Sequence, residues 1–320
     1  LNIIGLDISK DHVDCYLRKK DGREDYCRIG NDMAGFLLLH EKIKQHRIRK
    51  LLVCMEATGI YYEQSAKYFS RYYNVCVVNP LKIKEHAKKT FARTKTDKTD
   101  AKLIADYARR YHDTLHDYQP PKSEQYELGK LNALLNQLKK QIQQHRNQLH
   151  SAKDDYVANV HSMLIRELER HMRLTVERIE HVICCSDWHC QYRNLMTIPG
   201  IGKETAAVLI QHLSSRNFAT ANQFVAFAGL NPQIVRSGTS VCKPDKLSRL
   251  GHRHLKRALF MPALAAARNE CFKGFIKRLL DKGKKKMVAL VALMRKLAKI
   301  AYGIYKNGKP FDCKLYQAPV

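Results

Sequence analysis

The chain has 320 residues, 45% of them hydrophobic, and carries 57 Lys and Arg against 30 Asp and Glu, a formal net charge of +27. That length and apolar content suit two or three domains with real cores and exclude a disordered basic tail. The charge makes a polyanion the expected partner, nucleic acid rather than a membrane surface, because no run approaches the ~18 apolar residues of a membrane span. The N-terminus lacks a charged-then-apolar secretory pattern, so a cytoplasmic, nucleoid-associated protein is expected. The chain opens on Leu1, as expected of trimming or an alternative start codon.

In chain order, residues 2–7, 12–18 and 23–29 read as three strands, with Asp21-Gly22 turning between the last two. Asn31 is placed to cap a helix carrying Met33, Phe36, Leu37, Leu39 and Ile43. A short apolar strand follows at 51–56, then a helix over 61–72, a strand over 74–78 ended by Asn79-Pro80, and helical segments over 81–111. Three antiparallel strands followed by parallel strands on helical crossovers is the layout of the RNase H-like (RuvC-like) α/β fold.

At Gln119-Pro120-Pro121 the composition turns charged and Gln-rich. Leu128, Leu131, Leu135, Leu138, Ile142, His145, Leu149, Ala152 and Tyr156 step by three and four, as do Ile165, Leu168, Met172, Thr175, Ile179 and Val182. Two long helices in a coiled-coil arm are expected, serving as spacer or dimerisation hairpin. From Trp188 the chain is helical, basic and punctuated by glycine. The expected division is therefore an acid-bearing α/β domain at 1–118, an arm at 119–186 and a mainly α domain at 187–320.

Four acids fall at strand ends or a helix start: Asp7, Glu56, Asp97 and Asp100. The first and fourth strands lie side by side in this fold, and residues three apart share a helix face. Any one of these acids is equally readable as a cap, but carboxylates converging in so basic a chain suit two divalent ions ~3.5–4 Å apart. Lys95 and Lys98 stand beside them to hold phosphate. Further on, Ile198-Pro199-Gly200-Ile201-Gly202-Lys203 precedes an apolar-faced helix. That pattern fits either a tight turn or a helix-hairpin-helix contact to a DNA backbone, with Gly200, Gly202 and Lys203 at the phosphate. Arg236-Ser237-Gly238-Thr239-Ser240 is followed by Lys243, Lys246, Arg249, Arg253, Lys256 and Arg257, a phosphate-binding density of cations. Ser237 by itself reads as a turn residue, since no Ser-His-Asp order accompanies it.

The ten cysteines are dispersed, several inside apolar strands, and are expected to be reduced. Cys184, Cys185 and Cys190, with His181 and His189, form a cluster, but no second pair at zinc-finger spacing follows.

G-L-D-I-S-K at 5–10, C-M-E-A-T-G-I-Y at 54–61, V-V-N-P at 77–80 and T-K-T-D-K-T-D-A at 94–101 resemble the RuvC-like half of the insertion-sequence transposases related to the invertase Piv. I-P-G-I-G-K-E-T-A at 198–206, F-V-A-F-A-G-L-N-P at 224–232, R-S-G-T-S at 236–240 and the run at 251–263 resemble its C-terminal serine transposase half. The match runs nearly end to end and in order, with only the arm too variable to carry residue by residue. The resemblance implies that Asp7, Glu56, Asp97 and Asp100 are a DEDD set for Mg²⁺, with Mn²⁺ able to substitute, and that Ser237 forms a phosphoserine link to DNA. It also implies double-stranded DNA at element ends and target as substrate, and a structured non-coding guide RNA as partner. A homodimer or tetramer is expected, since strand exchange needs two sites. Two other readings stand beside this one: a RuvC-like nuclease using metal-activated water, in which the serine is dispensable, and a non-catalytic nucleic-acid-binding protein.

Overall fold

A computed structural model describes residues 1–46, 48, 50–90, 96–233, 236–237, 241–242, 246–248 and 250–316. The chain divides into two compact units, Leu1–Pro120 and Pro121–Val320.

The first unit is a five-stranded sheet in the order β3-β2-β1-β4-β5 with helices on both faces. Its strands are β1 (Asn2–Ile8), β2 (His12–Arg18), β3 (Glu24–Gly30), β4 (Leu51–Glu56) and β5 (Asn74–Val78). β1 pairs antiparallel with β2 and parallel with β4, the mixed arrangement expected of an RNase H-like domain. Helices α1 (Met33–Gln45) and α2 (Tyr62–Phe69) lie against one face, α3 (Pro80–Lys89) and α4 (Asp97–Tyr111) against the other.

Strand alternation sorts the side chains between these faces. Ile4, Leu6, Ile8, Val13, Cys15, Val53 and Met55 join the core under α1 and α2. Ile3, Tyr16, Leu52 and Cys54 face α4, and in the same period so do Gly5, Asp7, Asp14 and Glu56. The N-cap of α1 is Asp32, which accepts from the Gly35 amide, and not Asn31. Asn31 instead donates to the carbonyls of Ser9 and Tyr61, since its backbone is still tied to the end of β2 through Asp11.

Close approach of α4 to β1 is what brings the acids of these two elements together. Ala101, Ala105 and Ala108 are fully buried, and a Cβ on Gly5 would lie 2.2 Å from the Ala101 carbonyl oxygen and 2.6 Å from the Ala105 nitrogen. Gly5→Val is accordingly expected to push α4 outward and destabilise the unit by about 3 kcal/mol; denaturant unfolding measures the loss.

The second unit begins with α5 (Ser123–Ser151) and α6 (Asp155–Cys184), an antiparallel hairpin clasped by Glu127–Arg178 and Arg146–Glu169 ion pairs. Leu128, Leu135, Leu138 and Ile142 of α5 and Thr175, Ile179 and Val182 of α6 are buried, with Leu128 and Leu135 in one core with Ile179 and Val182. The first helix does not carry the expected seam to Ala152 and Tyr156. It stops at Ser151, because Asp154 caps α6 by accepting from the Val157 amide, and Tyr156 is 77% exposed.

The remainder is mainly helical: α7 (His189–Met196), α8 (Lys203–Ser214), α9 (Ala221–Phe227), α10 (Arg253–Ala258), α11 (Phe260–Ala266), α12 (Glu270–Asp281) and α13 (Lys286–Asn307). Between α9 and α10 the described residues form short strands β6 (Pro232–Gln233), β7 (Arg236–Ser237), β8 (Val241–Cys242) and β9 (Lys246–Leu247), pairing β6 with β9 and β7 with β8. One core joins Leu128, Leu135, Ile179 and Ile183 of the hairpin to α8 and to the buried stripe of α13, where Leu293, Leu297, Ala298 and Ala301 are fully enclosed. Cys271 and Cys313 form a disulfide, contrary to the expectation of uniformly reduced cysteines. Phe311 packs on Phe272 and stacks on Tyr316, which folds the tail back onto α12 and brings Cys313 beside Cys271 from 42 residues away. No helix among the described residues is long and apolar enough to cross a membrane.

Candidate metal centre and nucleic-acid interface

The acids of the first unit meet on the α4 face of the sheet. Asp7 on β1 stands directly across from Asp14 on β2, and Asp14 stands across from Arg28 on β3. Glu56 ends β4, one residue on from the Leu6–Met55 pairing, and accepts from the Thr58 hydroxyl at 3.5 Å. A single rung of the sheet thus carries Arg28, Asp14, Asp7 and Glu56. Asp97 and Asp100 enter from the first turn of α4, whose start is fixed by a reciprocal capping box between Thr96 and Thr99. Acids in that turn complement the helix dipole.

The electrostatics register this crowding. Burial, then the charges of Asp100, Glu56, Asp14 and Asp97, push the Asp7 carboxyl up to about 6. Like-charged groups held this close raise one another's protonation unless a cation stands among them. Asp100, Glu56 and Asp97 thus lie within electrostatic reach of Asp7, and so does Asp14.

Asp14, His12 and Arg28 are the residues that sequence reasoning missed. Asp14 is fully buried, its Oδ1 accepting from the Tyr26 hydroxyl and from Arg28 Nε at 2.9 Å. Its Oδ2 is buried with no hydrogen-bond partner among the described residues, and His12 Nε2 lies 3.6 Å away. His12, Asp14 and Asp97 each offer a ligand atom within 4.8 Å of the others. An acid inside the apolar run of β2, two residues after a histidine, was the available signal.

This donor set fits a hard divalent cation. Carboxylate oxygens arrive from β1, β4 and α4, one buried oxygen is unsatisfied, and Asp7 carries a proton more readily than a solvated carboxyl does. Of the four acids expected from the sequence, Asp97 belongs to the group of ligand atoms with His12 and Asp14, while Glu56 and Asp100 act on Asp7 through their charge. Lys98, beside them, lies 5.2 Å over the Tyr26 ring. Lys95 falls outside the described residues.

In the second unit, α7 and α8 are joined by the short turn Thr197–Gly202, where the sequence suggested a helix-hairpin-helix contact. Gly200 has φ +86°, and a Cβ there would lie 2.4 Å from the Pro262 carbonyl oxygen, so glycine is required both by conformation and by packing on α11. Gly202 is the N-cap of α8 with open space where a Cβ would be. That opening leaves the positive end of α8 accessible to an anion. Lys203 there is paired with Glu180 at 2.8 Å.

The cations downstream divide. Arg253 and Arg257 are exposed at i,i+4 on α10, and Lys246 is exposed on β9. Lys256 turns inward, donating to the Ser248 carbonyl at 3.2 Å. A groove lined by Asn132, Lys139, Glu204, Thr205, His254 and Arg257 runs between α5, α8 and α10. Arg236 and Ser237 form β7, with Ser237 opposite Val241; their side chains, and Lys243 and Arg249 altogether, lie outside the described residues. Cys184, Cys185 and Cys190 are free and exposed, and among the described residues they are not gathered into a metal-holding group.

Two family regions match this chain. A DEDD-type transposase family of the IS110 kind matches residues 4–157, and the transposase family described as IS116/IS110/IS902 matches residues 192–277. The chain is 33% identical to the pilin gene-inverting proteins of Moraxella lacunata and Moraxella bovis over 330 aligned positions, covering 98% of each partner. It is also 31% identical over 123 residues to an insertion element IS110 uncharacterized 43.6 kDa protein of Streptomyces coelicolor, covering 38% of this chain and 30% of that one.

Proposed function

The chain belongs to the IS110 family of DNA transposases and recombinases, and from that premise we propose that it cuts and rejoins DNA through a covalent bond to Ser237, assisted by a divalent cation held at Asp7, Glu56, Asp97 and Asp100. The observation that carries the metal half is the meeting of acids from β1, β4 and α4 around Asp7, whose carboxyl is raised to about 6 first by burial and then by the neighbouring acids. The serine half is supported by the position of Ser237 inside the second family region, in a chain whose acids fall in the first.

In the proposed reaction the Ser237 oxygen bonds to a DNA phosphorus as the phosphorus–oxygen bond to one sugar breaks. The serine proton is lost and the departing sugar oxygen gains one. The phosphate ester count is unchanged, so the strand rejoins to another DNA without a high-energy cofactor. A bound divalent ion supplies charge stabilisation at the phosphate oxygens and acidifies a nearby hydroxyl. The physiological ion in this reading is Mg²⁺, with Mn²⁺ able to replace it.

DNA is held by backbone contacts: the open N-terminus of α8 at Gly202, and Lys246, Arg253 and Arg257 beyond it. Such contacts position DNA without reading its sequence. Target choice in this reading comes from a structured non-coding RNA, which a net charge of +27 suits as well as it suits DNA. The protein acts as a homodimer or tetramer on two double-stranded sites. Rearrangement of a defined DNA segment is also the task for which the Moraxella relatives are named.

Asp97→Asn and Asp100→Asn test the metal half. Each is expected to lower strand exchange by about 10³-fold or more while leaving DNA and RNA affinity within a few-fold of wild type. Loss of nucleic-acid binding together with activity would contradict the role assigned to them; filter binding beside a cleavage assay separates the two.

A further inference from the structure

The row of charge across the sheet does not end at the acids. Arg28 stands at its edge with Nε 2.9 Å from Asp14 Oδ1 and Nη2 2.7 Å from Asp97 Oδ2. Asp14 is fully buried and pinned from a second side by the Tyr26 hydroxyl, so the near end of the guanidinium is anchored. The far end holds a carboxylate that is 54% exposed at the first residue of a helix. Among the described residues, the side chains reaching that carboxyl are Arg28 and, at 3.9 Å, His12.

We propose that Arg28, anchored by Asp14, is a positioning residue that orients Asp97 for the divalent cation. Resting on the metal reading given above, it adds two residues outside the set of four acids. The fork of an arginine bonds two carboxylates in fixed directions, which an ammonium does not. Nη2 takes Oδ2 of Asp97 and so fixes the direction in which this carboxylate would face a cation. One guanidinium among Asp7, Asp14, Glu56, Asp97 and Asp100 leaves the site strongly negative, so a cation is still drawn in. Removing an outer partner of a metal ligand costs 10–100-fold in affinity in comparable sites.

The test is Mn²⁺ binding to the full-length protein without nucleic acid, followed by the electron paramagnetic resonance of free Mn²⁺, for wild type, Arg28→Gln, Arg28→Lys and the double variant Asp14→Asn with Arg28→Gln. The double variant removes the buried charge together with its partner, so it keeps the measurement meaningful if Arg28→Gln alone unfolds; thermal melting identifies which variants are folded. Weakening by about 10-fold or more is expected in the glutamine variants, with a smaller loss in Arg28→Lys, which keeps the charge without the fork. Wild-type affinity in the folded glutamine variants overturns the inference, and tighter binding does so by marking Arg28 as a competitor of the ion. No saturable Mn²⁺ binding in the wild type defeats the metal reading and this inference together. Binding that is equal in all variants defeats this inference alone.

Discussion

Ser237→Ala is expected to abolish every covalent protein–DNA product and to lower strand exchange below detection, a loss of more than about 10³-fold. The substitution removes one oxygen and nothing else, and Ser237 belongs to a two-residue strand whose pairing to Val241 is made by backbone. Folding and nucleic-acid affinity are therefore expected to match wild type. A metal-dependent nuclease that used water as nucleophile would keep cleaving after this change, so denaturing electrophoresis of end-labelled DNA separates the two chemistries. Undiminished cleavage in the alanine variant would assign the attack to water.

Asp7→Asn carries the second large effect, and it runs in opposite directions for activity and stability. Cleavage is expected to fall by about 10³-fold or more, because the central strand loses its donor to the cation. The metal-free fold is expected to become more stable. Asp7 has its carboxyl raised to about 6, first by burial and then by Asp100, Glu56, Asp14 and Asp97. An acid raised in the folded state contributes stability that is complete below its unfolded pKa and lost as pH climbs through the folded value. Metal-free wild type therefore weakens between about pH 4 and 6, and Asn, which does not ionise, escapes that loss. After allowance for solvent screening of a half-buried group, the gain at pH 7 is about 1 kcal/mol. It should vanish near pH 4 and reverse when Mn²⁺ is added, since only wild type then gains binding energy. Thermal melting across pH, with and without the ion, reads all three conditions.

The strand order of the first unit was legible because each strand is a compact apolar run closed by turn or helix signals, and β1 reads as buried on both faces. Asp7, Glu56, Asp97 and Asp100 were legible as candidates because they sit where such elements begin or end. Asp14 and Arg28 were not. Their partnership depends on the register of β2 against β3, and a one-residue slip would have put Arg28 on the opposite face from Asp14. The α1 cap moved by one residue because Asn31 and Asp32 are both competent caps, and competition from the Ser9 and Tyr61 carbonyls decided between them. Counting cations likewise does not show which of them have partners within the protein. Lys256 spends its ammonium on a carbonyl and Lys203 on Glu180, partners 8 and 23 residues away that composition does not reveal. The Cys271–Cys313 bridge was hidden for a further reason: the return of the tail is set by aromatic packing of Phe311 on Phe272 and Tyr316, with no spacing rule behind it.

Gly5 and Gly200 illustrate what local reading does supply. Both were noticed as motif members, and both turn out to be points where another helix presses on the backbone, α4 in one case and α11 in the other. Their smallness positions the two elements to which a function is proposed, the acid-bearing first turn of α4 and the N-terminus of α8.

The covalent serine link is tested most directly by mass spectrometry of the protein after incubation with element-end DNA, guide RNA copied from the element's flanks and Mg²⁺, followed by exhaustive nuclease and protease digestion. A nucleotide remnant joined through phosphate to the peptide bearing Ser237, absent when Asp7 is replaced by Asn, is the predicted result. A remnant on any other residue, or cleaved DNA with no peptide attached, would contradict it.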